Sequence, residues 1–370
     1  MKITRVRSVF SGNNHYVVVE TDEGIRGLGE ATLNTRQLAV EGALRHMEAY
    51  LKGKDPLRSA FLWQDVFRGT FWRGGPVLQA ALSGVDLALW DIKGKALNVP
   101  VYQLLGGKCR DKVRLYKGIG GSDERQAGQA LEQALKAGYK AIRICPHDNL
   151  SSGYYDQNLQ VRLSERWMRF YRQEAGEDVD IVFECHTRLS PAYATELCNR
   201  IAPYHPFFVE DPLRADSPEA YRTLRERTTV ALGTGEKFGA KWDYRCLVEN
   251  DLIDYLRTDI CNCGGITEMV KIAAIGELHY MHMVPHGVPL AGMMATLHCD
   301  LAMANFHTQE NWLPDTPPAH LRCQYEVKDG FATISDAPGL GVELVEENAE
   351  PFELREHPHW RASDGSVQDW

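Results

Sequence analysis

The amino-acid sequence predicts an α/β protein: a (β/α)8 TIM-like barrel joined to a smaller α+β domain. From residue 113 onward, short apolar runs alternate eight times with amphipathic stretches, which is typical of a (β/α)8 barrel. Six consecutive runs end in an acidic or imidazole side chain, at intervals of 23 to 27 residues. One βα unit has about this length. The preceding residues 1–112 lack this period.

The first domain is predicted over residues 1–112. Its strand-like stretches are KITRVRSV and HYVVVETDEGIRGLGEA, and the turn at 21–24 would join two arms of a hairpin. One helix is expected over about residues 36–52. A second helix begins at Pro76, because proline suits the first helical position. It carries an apolar stripe with spacings of three and four residues and ends near Asn98.

The barrel is predicted over residues 113–324. Each candidate strand except the last is followed by a plausible helix. In chain order the strands are VRLYKG, AIRIC, IVFEC, FFVED, VALGTGE, LIDYLRTD, MHMVPH and LAMANFHTQE.

Polar residues that end six of these runs would lie at equivalent places, the C-terminal ends of strands three to eight. In a barrel, active sites are built on that rim. A single acidic residue after a strand is commonly a helix N-cap, but six in register without Ser, Thr or Asn favour a functional site. The six are Glu184, Glu210, Glu236, Asp259, His286 and Glu310.

Three of them, Glu184, Glu210 and Glu236, end adjacent strands. Adjacent strands lie about 4.8 Å apart, so the three carboxylates would repel one another and raise one another's pKa. A bound cation removes this conflict. Because the ligands are oxygens without His or Cys, the sequence predicts a Mg²⁺ site.

Two histidines belong to the same rim. His186 lies two residues beyond Glu184, so in an extended segment it would point to the same side. His286 ends strand seven, opposite strand three in a ring of eight, and Asp259 on strand six would fix its tautomer and raise its basicity. The imidazoles would face each other across the barrel mouth, where Glu310 is placed to hydrogen-bond a substrate oxygen.

This set of groups suits the removal of a proton next to a carboxylate. Losing that proton places a second negative charge on the carboxylate oxygens, and a divalent cation stabilises the resulting enediolate. One histidine would take the proton, and the other would protonate a leaving hydroxyl or return a proton to carbon. The residues alone leave open which histidine is the base.

Several longer stretches resemble the mandelate racemase subgroup of the enolase superfamily over nearly the whole chain. The likeness is greatest to its D-galactonate dehydratase group. The stretches are residues 73–107, VFECH, FFVEDPL, LGTGEKF, DICNCGGITE, VPHGVPL and DGFATISDAPGLGVEL.

The resemblance implies a Mg²⁺-dependent dehydratase of a sugar acid, an aldonate, that forms a 2-keto-3-deoxy acid. It implies that the three glutamates bind the metal, that His286 backed by Asp259 is the base, and that His186 is the acid that helps the 3-hydroxyl leave. It further implies that the first domain and the segment 325–370 together cap the barrel mouth, that the early loop 11–35 touches substrate, and that the chain forms a homo-oligomer, a dimer or an octamer.

The chain departs from the family pattern at two places. Glu184 stands where the first ligand is usually Asp. Arg143-Ile144-Cys145 replaces the Lys-x-Lys of racemases, so a lysine base is missing, and Arg143 resembles the strand-two arginine of mannonate dehydratases. In the stretch that follows, His147 and Tyr154 are further candidate substrate contacts, although an ordinary surface insertion is an equal alternative.

Other functions compete with that of a dehydratase. The nearest is a racemase, epimerase or cycloisomerase that uses the same enediolate, and a remote one is a catalytically silent binding protein on this fold. The glycines at 118, 120 and 121 do not fit G-x-G-x-x-G, which argues against nucleotide binding. Tyr116-Lys117-Gly118 offers no His-x-His for a zinc hydrolase.

Composition narrows the class of partner. The net charge of −9 argues against nucleic acid and anionic membranes as partners, whereas a metal would still allow an anionic substrate. The sequence has neither an apolar run of membrane-spanning length nor a signal-peptide pattern. The nine cysteines form no metal or disulfide framework, so a cytoplasmic enzyme is expected.

Overall fold

The computed structural model describes residues 1–146, 156–355 and 359–368. Its N-terminal part is an antiparallel three-stranded sheet followed by helices. These elements are β1 (Ile3–Ser11), β2 (Asn14–Thr21), β3 (Arg26–Glu30), α1 (Gln37–Leu51), α2 (Ser59–Arg68), α3 (Pro76–Leu97) and the short α4 (Val101–Leu104).

The long helix α3 organises this first domain. It begins at Pro76 and ends before Asn98, whose left-handed backbone (φ 54°) terminates it, as the sequence predicts. Its apolar stripe packs against the β1–β3 sheet in one buried cluster. Helix and sheet approach so closely that a Cβ atom on Gly29 of β3 would collide with the carbonyl oxygen of Gly84 in α3.

Eight parallel strands form the barrel, one at each predicted run, and β4 and β6 each extend one residue beyond the run. They are β4 (Val113–Ile119), β5 (Ala141–Ile144), β6 (Asp180–Glu184), β7 (Phe208–Glu210), β8 (Leu232–Thr234), β9 (Tyr255–Leu256), β10 (His282–Met283) and β11 (Gln309–Glu310). The prediction for the eighth run is wrong in its first part, because residues 301–302 complete the preceding helix and pairing begins only near Phe306.

Helices cover the outside of the barrel and alternate with its strands. They are α5 (Glu124–Lys136), α6 (Gln157–Ala175), α7 (Pro191–Ile201), α8 (Ala220–Arg225), α9 (Arg245–Glu249), α10 (Ile266–Glu277) and α11 (Leu290–Ala302). The sheet runs in chain order from β4 to β10, and the ring closes because β11 pairs with β4 while Met283 of β10 bridges to Phe306.

The segment after β11 lies against both parts of the molecule. It contains β12 (Leu321–Cys323), β13 (Tyr325–Lys328), β14 (Phe331–Ile334) and β15 (Val342–Leu344). β14 pairs with β4 of the barrel. Toward the first domain, Glu346 makes an ion pair with Arg7 (2.7 Å), and Tyr16 shares a hydrogen bond with His320 (3.0 Å).

This architecture is the predicted (β/α)8 barrel with an α+β cap that the C-terminal segment completes. The boundaries 1–112, 113–324 and 325–370 remain our proposal. Residues 11–35, expected to be a loop, are mostly the strands β2 and β3. Within the described residues no helix combines the length and apolar character needed to cross a membrane.

Candidate active site

Three glutamates converge at the C-terminal rim of the barrel, as predicted. Glu184 ends β6 and lies beside Glu210, the last residue of β7, in the strand register. Glu236 follows β8 by two residues. One carboxylate oxygen from each lies within 4.8 Å of the others, and Glu184 and Glu210 are fully buried. Their role as metal ligands stays a prediction.

The close approach of these carboxylates has an electrostatic cost. Burial raises the pKa of Glu210 well above its usual range, the charge of Arg257 opposes the shift, and the neighbouring Glu184 adds to it. Neither carboxylate oxygen of Glu210 accepts a hydrogen bond of ordinary geometry. An all-oxygen donor set with excess negative charge fits a hard divalent cation such as Mg²⁺.

Arg257 is a site residue that the sequence did not reveal. It follows β9 directly, is fully buried, and forms ion pairs with Glu210, Glu310 (2.8 Å) and Glu236 (3.4 Å). It also donates a hydrogen bond to the hydroxyl of Tyr116 (2.9 Å). Part of the repulsion between the carboxylates is therefore relieved by the protein itself. The sequence feature that could have indicated this role is the position of the arginine inside the apolar run LIDYLRTD, two residues before Asp259.

The predicted pair of Asp259 and His286 is present. His286 Nδ1 lies 2.8 Å from Asp259 Oδ2, and its Nε2 lies 3.4 Å from Glu236 Oε2. The Cys261 amide donates to the other oxygen of Asp259 (2.7 Å), which holds the carboxylate in place. Burial alone would lower the pKa of His286, but the charge of Glu236 and the hydrogen bond to Asp259 raise it to about 9.

His186 reaches the rim by a different geometry from the one predicted. The chain leaves β6 in a left-handed turn (φ 54° at His186 and 60° at Thr187), so the prediction of an extended segment is wrong. The turn is closed by the His186 amide, which donates to Glu184 Oε1 (2.5 Å). The His186 ring lies near Arg188, with 3.4 Å between Nδ1 and the guanidinium. The strand order still places β6 and β10, and so the two histidines, on opposite sides of the ring.

Arg143 and Glu310 line one side of the rim. Arg143 contacts Glu184 (3.1 Å) and Glu310 (3.5 Å). Glu310 is already hydrogen-bonded, to Arg257, to the amide of Gly287 (2.8 Å) and to the indole of Trp312 (3.1 Å). Burial would raise the pKa of Glu310, but Arg143 and Arg257 hold it well below its usual range. Its charge is therefore retained at neutral pH.

An open cavity of about 520 Å³ adjoins these residues, and its lining includes Lys117, Gly118, Arg143, Glu310 and Trp312. His147 and Tyr154, the other candidate substrate contacts, lie outside the described residues. In the loop after β6, the guanidinium of Arg188 lies over the ring of Trp360 of the C-terminal segment, 5.7 Å from its centre.

Two family models match this chain. The N-terminal domain of mandelate racemase and muconate lactonizing enzyme matches residues 6–106, and the enolase C-terminal domain-like model matches residues 126–348. The two matches together include every glutamate, histidine and arginine of the site just described.

Full-length relatives are dehydratases. A D-mannonate dehydratase of Sphingomonas sp. (strain SKA58) is 36% identical over 95% of this chain and 94% of its own length. A D-galactonate dehydratase of Cronobacter sakazakii is 34% identical over 96% of each chain. The crystal structure of an enolase from Pantoea ananatis with bound D-gluconate and Mg superposes with a TM-score of 0.92, at 32% identity, and covers 99% of each chain.

Proposed function

We propose a function for this chain from the premise that it belongs to the mandelate racemase and muconate lactonizing enzyme family of the enolase superfamily, as its two domain matches and full-length relatives show. The chain is a Mg²⁺-dependent hydro-lyase that dehydrates a sugar acid of the aldonate class to a 2-keto-3-deoxy acid. The observation that carries this proposal is the convergence of Glu184, Glu210 and Glu236 beside the His286–Asp259 pair.

The substrate class follows from the relatives together with the site. Two relatives are named for D-mannonate and D-galactonate, and a structural neighbour holds D-gluconate with Mg. All three compounds are six-carbon aldonates. The cavity at the rim of this chain offers a cationic and a carboxylate group, Arg143 and Glu310, to a polyhydroxy acid.

His286 is the general base of the proposed reaction. Its Nε2 faces the carboxylate cluster, while Nδ1 is held by Asp259, so Nε2 is the nitrogen free to take the proton from C2. Mg²⁺ held by the three glutamates would stabilise the negative charge that then develops on the substrate carboxylate. Arg143, which lines the cavity beside Glu310, is a cation that would orient the substrate.

His186 is the general acid. It donates a proton to the 3-hydroxyl, which leaves as water while the C2–C3 double bond forms. The resulting enol takes up a proton at C3 and loses the proton of its C2 hydroxyl, which gives the 2-keto-3-deoxy acid. Glu310 would orient a substrate hydroxyl, and His147 and Tyr154 remain proposed substrate contacts.

Two broader features of the proposal concern the molecule in solution. We expect a homo-oligomer, a dimer or an octamer, and the side chains of Phe71 and Trp72 are 88% and 81% exposed, as is common for residues that a partner covers. We expect a cytoplasmic enzyme, because the nine cysteines are free thiols, which a reducing compartment maintains.

The test is a screen of aldonic and aldaric acids with and without Mg²⁺, which measures 2-keto-3-deoxy acid formation. D-mannonate, D-galactonate and D-gluconate come first. We expect product only with Mg²⁺. His186→Asn should stop dehydration but keep exchange of the C2 proton with deuterated solvent, whereas His286→Asn should lose both.

Other outcomes would change the assignment. A product of unchanged mass would indicate an epimerase or racemase. Exchange that persists only in His286→Asn would reverse the roles of the two histidines. If no acid exchanges its proton, the chain is a silent binding protein on this fold.

A further inference from the structure

Glu30 is a buried carboxylate of the cap that lies behind the active site. It is the last residue of β3 and its side chain is inaccessible to solvent. Its Oε2 accepts a hydrogen bond from the amide of Gly292 (2.9 Å), and its Oε1 accepts one from the hydroxyl of Thr32 (2.9 Å). Gly292 belongs to the first turn of α11, which begins four residues after His286. Glu30 therefore connects the cap to the segment that carries the proposed base.

The connection continues to Asp259. A Cβ atom on Gly292 would lie 2.5 Å from Cys261 Sγ, so the first turn of α11 packs directly against Cys261. The amide of Cys261 donates to Asp259 Oδ1 (2.7 Å), and Asp259 Oδ2 holds His286 Nδ1 (2.8 Å). Four consecutive contacts thus join Glu30 to the imidazole.

The cap also makes hydrogen bonds to the loop after β9. The bonded residue, Gly264, comes five residues after Asp259 in that loop. Gly264 donates its amide to Ser83 of α3 (2.8 Å), and its carbonyl accepts from the indole of Trp63 in α2 (2.7 Å). The three glutamates at the rim make no comparable hydrogen bond to the cap among the described residues. The cap is therefore hydrogen-bonded to the segments that follow β9 and β10, which also carry the Asp–His pair.

We infer that Glu30 is a positioning residue for the proposed dehydration. Its carboxylate holds the first turn of α11 in place. Through Gly292 and Cys261 it keeps the side chains of Asp259 and His286 in the position that the substrate requires. A hydrogen-bond acceptor suits this place, because the unpaired amides of a helix N-terminus carry partial positive charge. The inference rests on the proposed function, in which His286 is the base.

Glu30→Ala tests the inference. It leaves the Gly292 amide unpaired, and we expect kcat to fall about 10- to 100-fold, the usual effect of removing a group that orients a first-contact residue. KM and the Kd for Mg²⁺ should stay within about threefold, because the carboxylate cluster is untouched. Glu30→Gln keeps one acceptor oxygen for Gly292 and should restore a part of kcat.

A readout that does not need activity separates this inference from the proposed function. The downfield NMR signal of the His286 Nδ1–H, assigned by its loss in His286→Asn, should shift or broaden in Glu30→Ala. This signal reports the hydrogen bond to Asp259 even if no substrate is turned over. Failure of the wild type in the substrate screen would overturn the proposed function alone.

Asp91→Asn is the matched control. Asp91 is an equally buried carboxylate of the cap that accepts from the amides of Leu28 (2.9 Å) and Leu340 (2.8 Å), away from the loops that carry Asp259 and His286. It should lower stability but leave kcat and the His286 signal unchanged. If Glu30→Ala and Asp91→Asn behave alike, with kcat per folded molecule and the signal both as in wild type, Glu30 is merely structural. If Glu30→Ala does not fold, the same two measurements are made on Glu30→Gln. A kcat and a His286 Nδ1–H signal as in wild type would then contradict the inference.

Discussion

The charges that meet at the rim can be counted residue by residue. Four glutamates, at 184, 210, 236 and 310, face the guanidinium groups of Arg143 and Arg257. When all four are ionised, at least two negative charges remain uncompensated, since the buried Asp211 lies 3.7 Å from Arg257 as a further carboxylate, and this excess favours a divalent cation. The donor set and the charge balance thus point to the same ion.

Binding of Mg²⁺ is expected to release a proton. In the metal-free protein the charge of Glu236 and the hydrogen bond to Asp259 raise the pKa of His286 to about 9. A cation on Glu236 offsets that charge and lowers the pKa, so a proton held at neutral pH must leave as the ion binds. The apparent affinity for Mg²⁺ should therefore rise with pH and level off above about 9.

Calorimetry in buffers of different ionisation enthalpy measures this proton release. His286→Asn should reduce it, and what remains would come from Glu210, whose pKa is also raised by burial. His279→Asn should keep it, since His279 also pairs with an aspartate, Asp251 (2.8 Å), but at the surface. An affinity that is flat with pH would contradict the coupling between the ion and His286.

At the scale of elements, the contact between β3 and α3 decides how the cap is built. A Cβ on Gly27 or Gly29 would collide with backbone carbonyls of α3. These glycines let the strand lie directly on the helix. That approach places Glu30, the next residue, at the cap–barrel boundary.

Gly29→Ala is expected to lower the free energy of unfolding by about 1–3 kcal/mol, the typical cost of overpacking. Urea unfolding measures it. Gly42→Ala is the matched control, because Gly42 lies within α1 at a place where an added Cβ would meet no atom within 4 Å. It should raise the free energy of unfolding by about 0.5–1 kcal/mol. Equal effects of the two substitutions would show that the β3–α3 contact is not tight.

On the scale of the whole molecule, the cap and the C-terminal segment are both joined to the barrel that carries the site. The C-terminal segment pairs with β4 and makes an ion pair with Arg7 of β1. Ligands bound at the rim touch several barrel strands at once. Their binding is therefore coupled to global stability.

Mg²⁺ is expected to stabilise the folded chain. At a concentration 100 times its Kd, the free energy of unfolding should increase by about 2.7 kcal/mol. Thermal unfolding with Mg²⁺ and with a chelator measures the difference. Glu236→Gln should lose the effect, while Glu277→Gln, at an exposed position of α10, should keep it. A shift of equal size in Glu236→Gln would place the ion elsewhere.

The sequence by itself determined the barrel, its eight strands and the positions that share its rim. Apolar runs recur with the length of a βα unit, and parallel strands bring their C-terminal ends to one edge. The convergence of Glu184, Glu210 and Glu236 and the contact of Asp259 with His286 followed from that regularity.

Only the tertiary structure decided the remaining contacts. Arg257 lies in an apolar run of the sequence. Its ion-pair partners come from the ends of β7, β8 and β11, which are adjacent to it only in the folded chain. The turn that carries His186 is left-handed, which no alternation of residues reveals. Glu30 meets Gly292 across 262 residues of chain. Local patterns encode elements and their spacing, whereas contacts between distant segments depend on packing, and packing exists only in the folded chain.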